Sequence, residues 1–88
     1  MNDPTTSHPM LTRDQARAAV LDAIRSIVPD ADVDAVADDT RLRTEFELDS
    51  LDFLSFVELL VAATGRPIGE GDYRQLDTLG SAVQLLTS

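Results

Sequence analysis

Apolar residues recur at helical spacing in three stretches of the chain, and nowhere do they alternate as a half-buried strand requires. In the first stretch Ala16, Val20, Ala23, Ile24 and Ile27 fall on one stripe, with Arg13, Arg17, Asp22 and Arg25 on the opposite face. Thr12 followed three residues later by Gln15 is a capping box, and Pro29 disfavours a helical residue just ahead of it. The spacing therefore predicts a first helix over 13–27. The second stretch, Ser50 through Thr64, reads as the strongest helix of the chain. Ser50 is placed as its N-cap, Asp52 sits in the first turn where the dipole favours an anion, and Gly65 is the natural C-terminal stop. Leu51, Phe53, Leu54, Phe56, Val57, Leu59, Leu60 and Val61 make it apolar around most of its circumference. Such a helix is either central to its domain or carries an exposed apolar edge for a partner. Pro67 and Gly69 mark a loop, and Gly71 to Leu76 reads as a short helix that turns Tyr73 and Leu76 inward. Thr78 caps a last helix whose inner stripe is Leu79, Ala82, Val83 and Leu86.

Two segments lack any period. Residues 1–11, with two prolines and small polar residues, read as a flexible N-terminal tail that holds the only histidine, His8, as a bystander. Between Pro29 and Asp49 lies a connection of ~20 residues, a length that is uncommon unless functional. Val33, Val36, Leu42 and Phe46 are placed to pin it to the core, with a short turn of helix near 33–37. The fold class expected is a small all-α four-helix bundle: three main helices, a short third helix, and a long loop between helices one and two. Residues 12–88 form its single domain.

Charge changes the picture in the middle of the chain. Sixteen acids oppose seven bases, all arginine, for a net charge of −9 over 88 residues. Residues 1–29 are neutral, 30–52 carry nine acids against Arg41 and Arg43, and 53–88 are net −2. Such a surface repels nucleic-acid phosphate and anionic head groups and suits a basic protein partner. With no cysteine, a disulfide framework and a thiolate metal site are excluded. No apolar run approaches the ~18 residues of a membrane span, and the first residues lack the basic-then-apolar order of a signal peptide. A cytoplasmic monomer is expected.

The acidic run fits a calcium-binding loop only in part. Asp30, Asp32, Asp34 and Asp38 match four ligand positions of an EF-hand loop, but Ala35 stands where the sharp turn needs glycine and Arg41 where a bidentate glutamate belongs. Solvated loop carboxylates are the plainer reading of Asp30, Asp32, Asp34, Asp38 and Asp39. Nucleophilic catalysis fails as well: Ser50 lacks the flanking glycines of a nucleophile elbow, and the only imidazole lies in the tail. The chain reads as a non-enzyme. Ser50 remains as an acceptor for another enzyme. A phosphate there would gain roughly 0.3–1 kcal/mol from the helix dipole, and Asp49 and Asp52 would each oppose it by ~1 kcal/mol or less through water and salt. Reversible anion binding is therefore disfavoured, whereas a covalent phosphodiester does not depend on that balance.

Asp49-Ser50-Leu51-Asp52, at the start of the central helix, resembles the phosphopantetheine attachment motif of acyl carrier proteins. The length, the acidity, the lack of cysteine, the long loop ahead of the motif and Glu70-Gly71-Asp72-Tyr73-Arg74-Gln75-Leu76-Asp77-Thr78-Leu79 after it are also similar to stand-alone members of that family. The resemblance covers 12–87. It implies a four-helix acyl carrier domain in which a phosphopantetheinyl transferase attaches 4′-phosphopantetheine to Ser50, drawing on coenzyme A and magnesium. The arm would hold acyl intermediates as thioesters for the loading, condensing and modifying enzymes of fatty-acid, polyketide or other secondary-pathway synthesis. By position, Asp49, Leu51 and Asp52 would be recognition residues around the acceptor, with Leu54, Ser55 and Glu58 further along the docking helix. Housekeeping fatty-acid carriers usually have an acid where Ser55 stands and an apolar residue where Glu58 stands, and Phe53 and Phe56 are bulkier than usual. These departures point to a dedicated or secondary pathway.

Other readings stay open beside this one. Ser50 also fits a plain helix cap, and Leu51, Phe53, Leu54 and Phe56 fit core packing, at least half of them. Tyr73 fits a core aromatic with its hydroxyl at the rim. At the level of function the rivals are an acidic helical adaptor without a prosthetic group, a serine under kinase control, and an aminoacyl or peptidyl carrier. Asp49 argues against peptidyl cargo, since peptidyl carriers more often have a non-acidic residue there.

Overall fold

Thr12 sets the first helix in place. Its hydroxyl accepts from the Gln15 N–H at 3.0 Å, and Gln15 Oε1 accepts from the Thr12 N–H at 3.0 Å, so two donors at the helix start are satisfied reciprocally. The computed structural model describes residues 11–88. The tail over 1–10, with His8, lies outside the described residues. Leu11, expected with the tail, packs half-buried against the core.

Helix α1 spans Arg13–Ile27 and buries Ala16, Val20, Ala23 and Ile24, as the stripe predicts. Ile27, the last of that stripe, stays half-buried at the helix end. A short 3-10 turn follows at Val33–Ala35. Helix α2, Leu42–Glu45, is a single turn that the periodicity did not reveal, and it buries Leu42 completely. Helix α3 spans Ser50–Thr64 and ends at Gly65, whose φ of 71° is the left-handed conformation glycine adopts without a steric penalty. A 3-10 helix over Glu70–Leu76 and helix α4 over Leu79–Thr87 complete the chain. Among the described residues there is no strand, and the whole is a small all-α bundle.

One hydrophobic core joins these elements. Helix α1 packs on both α3 and α4, and the 3-10 helix over 70–76 packs on α4. Val20 and Ile24 from α1, Phe56 and Leu60 from α3, Leu76, and Leu79 from α4 are all fully buried in a single cluster. Among the described residues no polar or charged one is buried in it. The stripe expected for α4 is buried throughout, and Leu85 joins it.

The connection between α1 and α3 is held down rather than loose. The Leu42 N–H donates to the Asp77 carbonyl at 2.8 Å, Leu79 N–H to Thr40 O at 3.3 Å, and Gly80 N–H to Asp38 O at 2.8 Å. These bonds tie the connection to the start of α4 through an isolated antiparallel bridge between Arg41 and Thr78. From the other side, Arg17 donates to Val36 O at 3.1 Å and pairs with the Asp38 carboxylate at 3.5 Å. Val36 and Leu42 are buried and Val33 and Phe46 half-buried, so all four expected anchors pack on the core. The connection thus delivers α3 to a defined place on the bundle.

Candidate functional site

The start of α3 is shaped by two carboxylates. Asp49, not Ser50, is the N-cap: its backbone is extended (φ −80°, ψ −173°) and its Oδ1 accepts from the Asp52 N–H at 2.8 Å. Asp52 Oδ2 in turn accepts from the Asp49 N–H at 3.4 Å, which completes a capping box. The expected cap was therefore one residue too late. The acid–x–x–acid spacing of Asp49 and Asp52 was the signal that identifies the true cap.

The shift has a chemical consequence. As the first residue of α3, Ser50 does not spend its hydroxyl on the helix start, and among the described residues Oγ makes no hydrogen bond. Ser50 is exposed. Just before it, Glu47 holds a positive φ of 53°, the single non-glycine residue of that kind among those described. There the chain leaves α2, with Leu48 N–H bonded to Arg43 O at 2.9 Å, and turns into the cap.

Around Ser50 the remaining candidates divide by helical position. Leu51 is 75% exposed and Leu54 46%, the two large apolar side chains most open to solvent among the described residues. With Ser55 and Glu58, also exposed, they share one face of α3, because positions three and four apart lie together. Asp52 borders that face on the α1 side. It is half-buried and lines a groove of about 540 Å³ between α1 and α3, with Ser26, Ile27, Ser55, Glu58 and Leu59. Of the four residues weighed as core or partner surface, Phe53 and Phe56 are buried and Leu51 and Leu54 are not.

On the other flank of α3 lie two recesses separated by Tyr73. One, of about 430 Å³, is mostly apolar and is lined by Leu54, Val57, Val61, Ala62, Ile68 and Tyr73 with Glu58 at its edge. The other, of about 570 Å³, is lined by Arg43, Phe53, Tyr73, Arg74 and Asp77. Phe53 is the hub of this second recess. Its ring meets Tyr73 edge-on at 5.3 Å and 79°, and the Arg43 guanidinium lies 4.9 Å above it. Tyr73 is half-buried and packs against the core, as expected of a core aromatic. Arg43 and Arg74 were not singled out from the sequence; no periodicity links a loop helix to a 3-10 helix thirty positions away.

The loop acids Asp30, Asp32, Asp34, Asp38 and Asp39 are exposed, and Asp38 alone among the described carboxylates forms an ion pair. Among the described residues no group of three or more His, Asp or Glu side chains is arranged to hold a metal ion, and no helix is long and apolar enough to cross a membrane. Family models, curated proteins and solved structures offer no match to this chain.

Proposed function

We propose that this chain is an acyl carrier protein that receives 4′-phosphopantetheine on Ser50 and presents acyl groups to other enzymes. The observation that carries the reading is the free Ser50 hydroxyl: exposed at the first position of α3, and released from capping duty by Asp49. The residues fit the group. Ser50 is exposed, and the Asp49–Asp52 box fixes the turn that carries it, so an approaching enzyme meets one defined geometry.

In the attachment, Ser50 Oγ bonds to the phosphorus of coenzyme A that bears the pantetheine, its proton passes to a base of the transferase, and adenosine bisphosphate leaves. When bound, the arm supplies a thiol that holds the acyl group as a thioester. The chain's own part is recognition. Leu51 and Leu54 offer apolar contacts beside the acceptor, and Glu58 and the exposed loop acids favour a partner with a basic docking surface. Asp49 and Asp52 act first as the brace of the helix start, and their remaining carboxylate oxygens face a partner second. Ser55 and Glu58 give this face a charge pattern unlike that of housekeeping fatty-acid carriers, which supports assignment to a dedicated or secondary pathway.

The exposure of Leu51 also suits an adaptor that docks without a prosthetic group. Ser50→Ala separates the two: it abolishes a carrier and leaves an adaptor working. A transferase supplied with coenzyme A and magnesium is expected to add one arm to the wild type and none to the variant.

A further inference from the structure

We propose that the recess framed by Arg43, Phe53, Tyr73, Arg74 and Asp77 receives the carboxylate-bearing end of a cargo held at Ser50. This rests on the carrier reading. Phe53 lies three positions after Ser50 on α3, a rise of ~4.5 Å along the axis, so one helix carries both the acceptor and a wall of the recess. At about 570 Å³ it has room for a short acyl group. Its floor is aromatic, from Phe53 and Tyr73, and holds an apolar stem.

Its charge is what selects the end group. Arg43 and Arg74 are two of only seven bases in a chain of sixteen acids, yet both line this one recess. Among the described residues neither pairs with a carboxylate; the ion pair is Arg17–Asp38. Arg43 is oriented by its stacking over Phe53 at 4.9 Å and by a long bond, 3.5 Å, from Nε to Leu48 O, which leaves its terminal nitrogens to a ligand. Asp77 offsets one charge, so the lining keeps a net +1 inside a protein of net −9. A planar carboxylate matches the fork of guanidinium donors, which an alkyl terminus does not. The neighbouring recess, beyond Tyr73, is the apolar alternative: its lining has no base, and Glu58 at its edge repels an anion. The two recesses therefore sort cargo by its end group.

The test loads Ser50 enzymatically from glutaryl-coenzyme A or from pentanoyl-coenzyme A, which differ in the terminal carboxylate. Intact mass first establishes that the arm and its cargo are attached. Nitrogen–proton spectra then read the arginine Nε–H signals and the amides of Phe53, Tyr73, Leu54, Val61 and Ile68. The glutaryl form is expected to shift Arg43, Arg74, Phe53 and Tyr73, and the pentanoyl form to leave the two arginines unmoved. In Arg43→Gln/Arg74→Gln the glutaryl-specific shifts at Phe53 and Tyr73, read against the same variant without cargo, should vanish, while the shifts that pentanoyl loading causes at these amides match those it causes in the wild type. Loaded wild-type protein whose arginine signals are the same with either cargo, or whose glutaryl shifts fall at Leu54, Val61 and Ile68, overturns the inference alone. Absence of any mass gain at Ser50 overturns the carrier reading and this inference together.

Discussion

Asp49 and Asp52 hold each other's backbone across the first turn of α3, with Asp49 Oδ1 accepting from Asp52 N–H at 2.8 Å and Asp52 Oδ2 accepting from Asp49 N–H at 3.4 Å. Two acids so close together repel each other, yet both face the positive end of the helix dipole and orphan N–H groups that need an acceptor. The pair thus stabilises the helix start, and the serine between them is spared for another use. The acids beside Ser50 are part of its positioning as well as of its charge.

That division of labour separates two neighbouring substitutions. Asp49→Ala removes the cap and should cost about 0.5–2 kcal/mol. Ser50→Ala removes no bond of the helix start and should change stability by less than about 0.5 kcal/mol. Urea unfolding of both variants checks the contrast; a larger cost at Ser50 than at Asp49 would mean that the serine is the cap.

Glu47 holds a left-handed backbone, with φ of 53°, at the turn between α2 and α3. For a residue with a Cβ that conformation costs roughly 1–2 kcal/mol. Glycine avoids it but loses roughly 0.5–1 kcal/mol of unfolded-chain entropy. Glu47→Gly should therefore raise stability by up to about 1.5 kcal/mol, read as a higher denaturation midpoint with an unchanged slope.

Gly80 approaches the connection between α1 and α3 so closely that a Cβ there would lie 3.1 Å from Asp38 O, which also accepts the Gly80 N–H at 2.8 Å. A branched side chain cannot fit without lifting the loop. Gly80→Val is expected to cost about 1–3 kcal/mol and to speed hydrogen exchange at the amides of Gly80 and Leu42, whose bonds make the same clamp. Valine tolerated without either effect would show that the loop is not held there.

Much of this architecture is legible from local signals. The Thr12–Gln15 box, the left-handed Gly65 and the Thr78 cap each act within four residues, so the first and last helices and the end of α3 can be read directly. Helix α2 is hidden because four residues are too few to show a period. The cap of α3 is misread by one position because Ser and Asp are equally good caps and both stand there; only the partner at Asp52 decides. The Arg43–Phe53–Tyr73 cluster is invisible for a different reason. Its members come from α2, α3 and the 3-10 helix, and only the folded loop brings them together.

Exposure of Leu51 and Leu54 beside the acceptor predicts loss of recognition without loss of fold. Leu51→Ala should leave stability within about 0.5 kcal/mol, whereas Leu60→Ala, fully buried, should cost about 2–5 kcal/mol. On the docking side, Leu51→Ala should lower the transferase's kcat/KM for this protein by about fivefold or more, the scale of an interface side chain worth over 1 kcal/mol. Unaltered transfer would place recognition elsewhere.

The central claim is that Ser50 Oγ accepts a phosphopantetheine arm, and intact mass spectrometry tests it most directly. Purified wild type and Ser50→Ala, both shown to be helical by circular dichroism, are incubated with coenzyme A, magnesium and a phosphopantetheinyl transferase. The account predicts that the wild type gains one phosphopantetheine, mapped by fragmentation to Ser50, and that the variant gains none. A folded wild type that stays unmodified even with its own host's transferase, or an arm that appears on Ser50→Ala, would contradict it.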